Sequence, residues 1–311
     1  MSTDINTDMK TDMNTGMSTR DSSSTTATTH PISPASTAER ILVTGGTGKT
    51  GHRVTRLLLK QGRKVRSVGR QTPVPMSWYD ERTWQPALQD ITAVYIAFSP
   101  DLAVPGTPEL ISRFVTAART SGVQRVVLLS GRGEEEAQGC EQIIMNSGMQ
   151  WTVIRSAWFA QNFSEGDFSH MVDEGVIMLP AAGVPEPFVD IDDLAEVAVA
   201  ALTQAHHHGQ IYDVTGPELL SFEEVARLIS AGTGRAVSFF PVSQAAFTEG
   251  LAGSGAPDDF IWLLNYLFTE VLDGRNAHTG DGVMRALGRA PGDFRTFVSK
   301  AIQSGEWKKA A

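Results

Sequence analysis

The stretch ILVTGGTGKTG, residues 41–51, overlays two possible phosphate-binding loops. Around Lys49, GKT has the ending of a P-loop. Through Gly45, Gly48 and Gly51, the same residues form a dinucleotide-binding turn. A P-loop needs the spacing G-x-x-x-x-G-K-[ST]. Five residues before Gly48 stands Val43, inside the apolar run ILVT, so the first glycine is missing. The dinucleotide pattern fits: a strand, three glycines spaced G-x-x-G-x-x-G, then a helix beginning near Lys49. In that arrangement Gly45 permits the tight turn, Gly48 lets the backbone approach a pyrophosphate, and Gly51 lets the helix pack on the strand. The helix N-terminus then faces the phosphates. Gly45, Thr47, Gly48, Lys49, Thr50 and Gly51 are therefore the candidate cofactor contacts.

The next apolar run, KVRSVGR (64–70), indicates which dinucleotide. NAD binders carry an acidic residue about 20 positions on, for the ribose 2′-hydroxyl. Here no Asp or Glu ends the strand, and Arg70 stands in its place. A guanidinium suits a 2′-phosphate, so NADP(H) is expected over NAD(H), with Lys49 as a second positive group. A solvated surface arginine is the plainer alternative.

Outward from the loop, short β-branched runs alternate with amphipathic stretches. ILVT, KVRSVGR, AVYIAFS (93–99), QRVVLLSG (124–131) and QWTVIRS (150–156) read as strands. Helices are expected over 52–62, 107–121 and 139–148. Nearly all-apolar strands separated by helices describe a parallel sheet covered on both faces. Past 156 the rhythm loosens. Residues 187–205 read as a strand, an Asp cap and a helix, and 209–216 as a strand. SFEEVARLISAGTG (221–234) opens with Ser221 and Glu224 in capping-box spacing. Long helices follow over 258–273 and from about 293. The fold class is α/β: a Rossmann-type, doubly wound parallel sheet with a smaller C-terminal α/β lobe closing a substrate cleft. The expected boundaries are a tail over 1–38, a dinucleotide-binding domain over 39–165, and a substrate-side lobe over 166–311. Strand 209–216 is expected to return to the main sheet.

Residues 1–38 hold seventeen Ser and Thr and no aromatic residue. Such a segment buries too little apolar surface to offset its ordering entropy and reads as disordered. It has no apolar core of a secretory signal and is poor in Arg, and no run approaches the ~20 residues of a membrane span. A cytoplasmic, soluble protein without a membrane partner is expected. The 311 residues carry a net charge of −9, which argues against direct nucleic-acid contact, because phosphate backbones need clustered Lys and Arg. The single cysteine, Cys140, rules out an intramolecular disulfide and a Cys-rich metal site, and reads as buried filler.

Short-chain dehydrogenases, which the TGGTGKTG pattern resembles, usually carry a Tyr-x-x-x-Lys proton donor. Four residues after Tyr79, Tyr95, Tyr212 and Tyr266 stand Thr83, Ser99, Gly216 and Glu270, and no lysine occurs between Lys64 and Lys300. The pair is absent. Either the acceptor takes a hydride with little help, being iminium- or quinone-like, or the protein binds cofactor without chemistry. No residue is assigned as catalytic; His170 and Glu134 are the candidate proton donors. Glu134 lies in GEEEA (133–137), otherwise a solvated face or helix start. Asp190, Asp192 and Asp193 look like helix capping. His206, His207 and His208 read as a solvated loop, and no metal site is expected.

Residues 41–300 resemble the NmrA-like atypical short-chain dehydrogenases. The resemblance rests on ILVTGGTGKTG, GVQRVVLLSG, CEQIIMNSGMQWTVIRSAWFAQNF, PFVDIDDLAEVAVAAL and IYDVTGPELLSFEEVARLIS. SWYDERTWQPAL (77–88) and EVLDGRNAHTGDGVMRALGRAPGDF (270–294) are similar to the branch of ergot-alkaloid dehydrogenases of agroclavine and festuclavine type. The resemblance implies an NADP(H)-binding fold, with Ser99, Pro100, Ser130, Gly131 and Ala157 to Phe159 around the cofactor. It also places Trp158, Phe159, Gln161 and Asn162 on the substrate side, whereas Phe163 reads better as core. Three functions stay open. The first is an NADPH-dependent reductase of a small organic acceptor. The second is a non-catalytic, NADP-binding redox sensor with a protein partner, and the third a promiscuous NADPH:quinone reductase.

Overall fold

A computed structural model describes residues 39–307, except 167 and 182. The Ser/Thr-rich tail over 1–38 lies outside the described residues. The glycine loop follows β1 (Arg40–Val43) and leads into α1 (Lys49–Lys60). Next come β2 (Lys64–Ser67), α2 (Trp84–Leu88), β3 (Ala93–Ile96) and α3 (Thr107–Thr120). β4 (Arg125–Gly131), α4 (Glu135–Met145) and β5 (Gln150–Ser156) complete the first half.

The main sheet has the order β2-β1-β3-β4-β5-β7, where β7 is Gln210–Val214, and every pairing is parallel. The chain winds from β1 to β2 on one side, then crosses to β3 on the other. That reversal opens a crevice beyond the carboxyl ends of β1 and β3, where open α/β sheets bind ligands. Alternate residues feed opposite faces, which is why the strands read as continuously apolar. Leu42, Val94, Ile96 and Val126 pack with α3 and α4. Ile41, Val43, Tyr95 and Val127 pack with α1 and with α6 (Ile191–Thr203).

A second cluster lies beside the sheet. It holds α5 (Ser169–Glu174), β6 (Val176–Leu179), α7 (Phe222–Thr233) and β8 (Ser238–Pro241), with α8 (Gln244–Gly253) and α9 (Asp258–Tyr266). β6 and β8 form a separate two-stranded parallel sheet. Its core is aromatic, built around Phe163, Phe188 and Phe222. α10 (Gly282–Leu287) packs against α6 and β7, whereas α11 (Phe294–Ser304) packs on α7. The segment after 166 thus supplies α6, β7 and α10 to the sheet layer and the remainder to the aromatic cluster.

Some elements follow the sequence reading and others depart from it. The capping box at Ser221 forms as its spacing predicts, with Ser221 Oγ accepting from Glu224 N and the Glu224 carboxylate accepting from Ser221 N. The expected 258–273 helix is instead α9 followed by a π-helical turn over Leu267–Val271. No strand forms at 187–189, where Val189 only bridges to Phe159. The histidine run is not a solvated loop throughout. His207 is fully buried, with Nδ1 2.7 Å from Tyr212 Oη, and burial pushes its pKa down to about 4.

Candidate active site

The glycine loop has the shape required to receive a phosphate. Gly45 adopts φ +59°, a left-handed conformation that favours glycine. A β-carbon on Gly51 would lie 2.2 Å from the Gly45 carbonyl oxygen, so only glycine lets α1 seat on the loop. Gly46, not singled out in the sequence, is also constrained, though less rigidly: its β-carbon would fall 1.9 Å from Ser67 Oγ, which can rotate away, and 3.2 Å from Val68 N, which cannot. At Gly48 a β-carbon would meet only the Gly45 carbonyl oxygen, at 3.2 Å. Gly48 is also the N-cap of the twelve-residue helix α1, and no side chain caps that end. Its first-turn N–H groups and dipole are left for an anion. The loop fits a dinucleotide pyrophosphate.

A cleft of about 600 Å³ opens beside this helix end. Of the expected cofactor contacts, Gly45, Gly48, Lys49, Thr50, Ser99, Pro100, Ser130 and Gly131 line it, at the carboxyl ends of β1, β3 and β4. The Ser99–Pro100 peptide is cis. Thr47 and Arg70 are exposed and lie outside the cleft lining, and Gly51 is buried in the first turn of α1.

Of the expected substrate-side residues, Trp158, Phe159 and Asn162 line the cleft. Gln161 does not. Its side chain is buried, donating to Asp190 Oδ1 at 2.7 Å and accepting from Ile191 N at 3.0 Å. That bond pair fixes the start of α6, and Asp190 is held in turn by Lys300 Nζ at 2.9 Å. His170 is exposed on α5, away from the cleft lining, so its place as a proton donor falls away.

The far wall is apolar. Trp158 stacks on Phe168 with ring planes 22° apart, and Phe260, Leu263, Leu264, Leu267 and Val271 face them from α9 and the π turn. Sequence periodicity showed α9 as an apolar helix but gave no sign of which cavity it covers.

Buried polar groups lie near the carboxyl ends of β4 and β5 and on α4. Ser130 Oγ donates to Glu141 Oε1 at 2.7 Å, and Arg155 grips the same buried carboxylate through Nη2 at 2.6 Å. The Ser130 proton is thereby directed away from the cleft, leaving its oxygen to act as an acceptor. Glu134 is buried at the N-cap of α4 with its carboxyl facing that of Asp101. Burial, then the charge of Asp101, holds Glu134 well above the usual carboxylate range, and burial raises Asp101 as well. Glu134 thus keeps its proton to higher pH than an ordinary carboxyl and can donate it.

Sequence reasoning missed Asp101, Arg132, Glu186 and Asn276, all in the cleft lining. Arg132 Nη1 donates to the Asn276 carbonyl at 2.7 Å, and Asn276 Nδ2 donates back to the Arg132 carbonyl at 3.0 Å. These partners are 144 positions apart in the chain.

The fold and the loop define a dinucleotide-binding α/β protein with a two-sided cleft: phosphate-binding backbone on one side, aromatic wall on the other. Residues 45–205 match the family model described as NAD(P)H-binding. The chain belongs to this NAD(P)H-binding family, and its relatives at 30% identity or more include named oxidoreductive enzymes. It is 31% identical to festuclavine synthase I of Penicillium roqueforti, over 85% of this chain and 98% of that protein. It is 30% identical to an NAD(P)H azoreductase of Xenophilus azovorans, over 83% and 96% respectively. An NADPH-complexed quinone oxidoreductase of Escherichia coli shares the fold, with TM-score 0.71 at 21% identity over 84% of this chain and 99% of that one. The regulator NmrA, solved with NAD, has TM-score 0.65 at 12% identity, over 87% and 97%. Among the described residues no helix is long and apolar enough to cross a membrane.

Proposed function

We propose that the protein is an NADPH-dependent reductase that passes a hydride to a small, planar organic acceptor of iminium or quinone type. One observation carries this reading: an aromatic and aliphatic wall faces the glycine loop across a single cleft that has buried carboxyls but no Tyr-x-x-x-Lys pair. The cofactor supplies the hydride. The chain's own residues then bind, orient and exclude water. The apolar wall formed by Trp158, Phe168 and α9 suits an aromatic ring system, as ligand sites of this kind keep specificity in a few polar groups on an apolar wall. One relative is named an NAD(P)H azoreductase, an enzyme that reduces an unsaturated nitrogen compound, which agrees with that choice.

The preference for NADPH rests on Arg70, and the loop contacts are Gly45, Thr47, Gly48, Lys49 and Thr50, with Gly51 seating α1 beneath them. Trp158, Phe159 and Asn162 serve the acceptor, and Glu134 serves as acid where the acceptor needs a proton. NADPH oxidation against a panel of cyclic iminium ions and quinones tests the proposal. Turnover of at least one class supports it. No turnover with any acceptor, alongside tight NADPH binding, would leave the non-catalytic sensor as the better description.

A further inference from the structure

Glu186 occupies a position where an apolar residue would be the simpler choice. It lies between Pro185 and Pro187, and its backbone exchanges two 2.9 Å hydrogen bonds with Leu220, which fixes it in place. The residue is 0% exposed and lines the cleft together with Trp158, Phe168 and Val271. Neither carboxyl oxygen accepts a hydrogen bond from any described residue. Burying a carboxyl without partners is costly, so natural chains keep one where a ligand completes it.

The surrounding charges narrow the choice of ligand. Arg132, packed nearby, is balanced by Asp213, with Nε 2.9 Å from Oδ1, and its Nη2 has no partner among the described residues. Asp273, beyond the π turn, pairs with Arg275 at 2.9 Å. Across the cleft Lys49 donates to Asn162 at 2.7 Å. Glu134 and Asp101, in the same lining, are the other acids. The acceptor end therefore holds three carboxyls, with Arg132 already matched by Asp213. An anionic acceptor is disfavoured there, and a neutral one leaves Glu186 as it is.

We propose that Glu186 is the counter-ion of a cationic acceptor, selecting a positively charged planar ring over its neutral isostere. This rests on the reductase reading and names its substrate class. The chemistry balances without an added proton. The hydride adds to the carbon of a C=N⁺ bond, the π pair becomes a nitrogen lone pair, NADPH becomes NADP⁺, and the product is a neutral amine. Loss of the positive charge removes the attraction to Glu186 and favours product release. Burial lifts this carboxyl to about 7, against Arg132, which lowers it. Binding a cation near neutral pH thus drives Glu186 to its carboxylate and releases a proton.

The probe is N-methylacridinium, with acridine as its uncharged counterpart, each titrated into the NADP⁺ complex by fluorescence. At pH 8 the wild type should bind the cation at least ~10-fold more tightly than acridine, a modest effect for one buried charge pair. Lowering the pH to 6 should weaken cation binding by about tenfold, as the carboxyl takes up its proton. Calorimetry in buffers of different ionisation enthalpy should record the released proton near pH 7. Glu186→Gln should abolish the preference, the pH dependence and the proton release, while Glu186→Asp should retain the preference. A Glu186→Gln protein that folds and still prefers the cation overturns the proposal. NADPH oxidation is measured separately: a wild type that prefers the cation but reduces no acceptor sinks the reductase reading and leaves the counter-ion intact.

Discussion

Lys49 Nζ donates a 2.7 Å hydrogen bond to Asn162 Oδ1, across 113 positions of sequence. The first residue of the glycine-loop helix is thereby tied to the wall of the acceptor side. Gly166 lies beneath this contact, and a β-carbon there would come 2.4 Å from Lys49 Nζ. The two halves of the cleft are thus mechanically joined, so a change at Asn162 should be felt by both ligands. Asn162→Ala is expected to raise the dissociation constant for NADPH and the KM of the acceptor together, each by roughly 3- to 10-fold, the worth of one ordinary hydrogen bond of ~0.5–1.5 kcal/mol in a part-buried setting. Fluorescence titration of NADPH and steady-state kinetics measure the two. A change in acceptor KM alone would show that Lys49 does not transmit the contact.

Arg70 gives a second prediction. The end of β2 presses on the loop through Ser67 and Gly46, and Thr72 Oγ1 accepts from Gly69 N at 2.9 Å, which shapes the turn carrying Arg70. The arginine is exposed and therefore free to reach a ligand phosphate. Arg70→Ala should weaken NADPH binding by about 10- to 100-fold, the range for a charge-assisted bond, while leaving NADH affinity close to its original value. Equal losses for both cofactors would place Arg70 outside the specificity determinant.

How much of this was legible in the sequence follows from the range of the signals. The glycine loop, the parallel strands and the capping box at Ser221 are local patterns of spacing, and each forms where its spacing falls. Gly46 was overlooked because its constraint comes from Ser67 on the next strand, not from neighbours in the motif. Gln161 looked like a pocket amide because it sits among aromatics, yet its partner Asp190 lies 29 positions on. His207 looked solvated because it stands between a helix and a strand, although Tyr212 draws it inward. Glu186 gave no periodic signal, standing alone between two prolines, and only the fold encloses it. Pairings across more than a hundred residues, such as Arg132 with Asn276, belong to the tertiary fold and leave no trace in local spacing.

Glu134 leads to a prediction about acceptor class. Its carboxyl stands so close to Gly131 that a β-carbon there would lie 1.7 Å from Oε1, which puts the acid at the carboxyl end of β4. Reduction of a quinone consumes a proton as well as a hydride, whereas reduction of an iminium ion needs the hydride alone. A positioned acid contributes typically ~10²–10⁴-fold. Glu134→Gln keeps the size and removes the proton, so quinone reduction should fall by roughly 100-fold or more, and iminium reduction much less. For the wild type, quinone turnover should hold at low pH and decline as pH rises through the raised pKa of Glu134. Equal losses for both acceptors would mean that Glu134 shapes the cleft and does not supply the proton.

The unpartnered carboxyl of Glu186 also predicts how stability changes with pH. Its ordinary value is 4.5, and burial raises it to about 7 in the folded chain. Between these values the folded state keeps a proton that the unfolded state has lost. Folded-state proton retention makes stability fall as pH rises through this window, then level off above it. The full difference is about 3 kcal/mol at ~1.4 kcal/mol per unit, large against the net stability of a domain. Glu186→Gln cannot ionise, so this contribution to the slope disappears. The variant should match the wild type closely at pH 5 and be the more stable protein at pH 8. Urea unfolding at the two pH values, without acceptor, measures this directly. If Glu186→Gln is destabilised equally at both, the carboxyl is held by partners within the protein, and its cost is not being kept for a ligand.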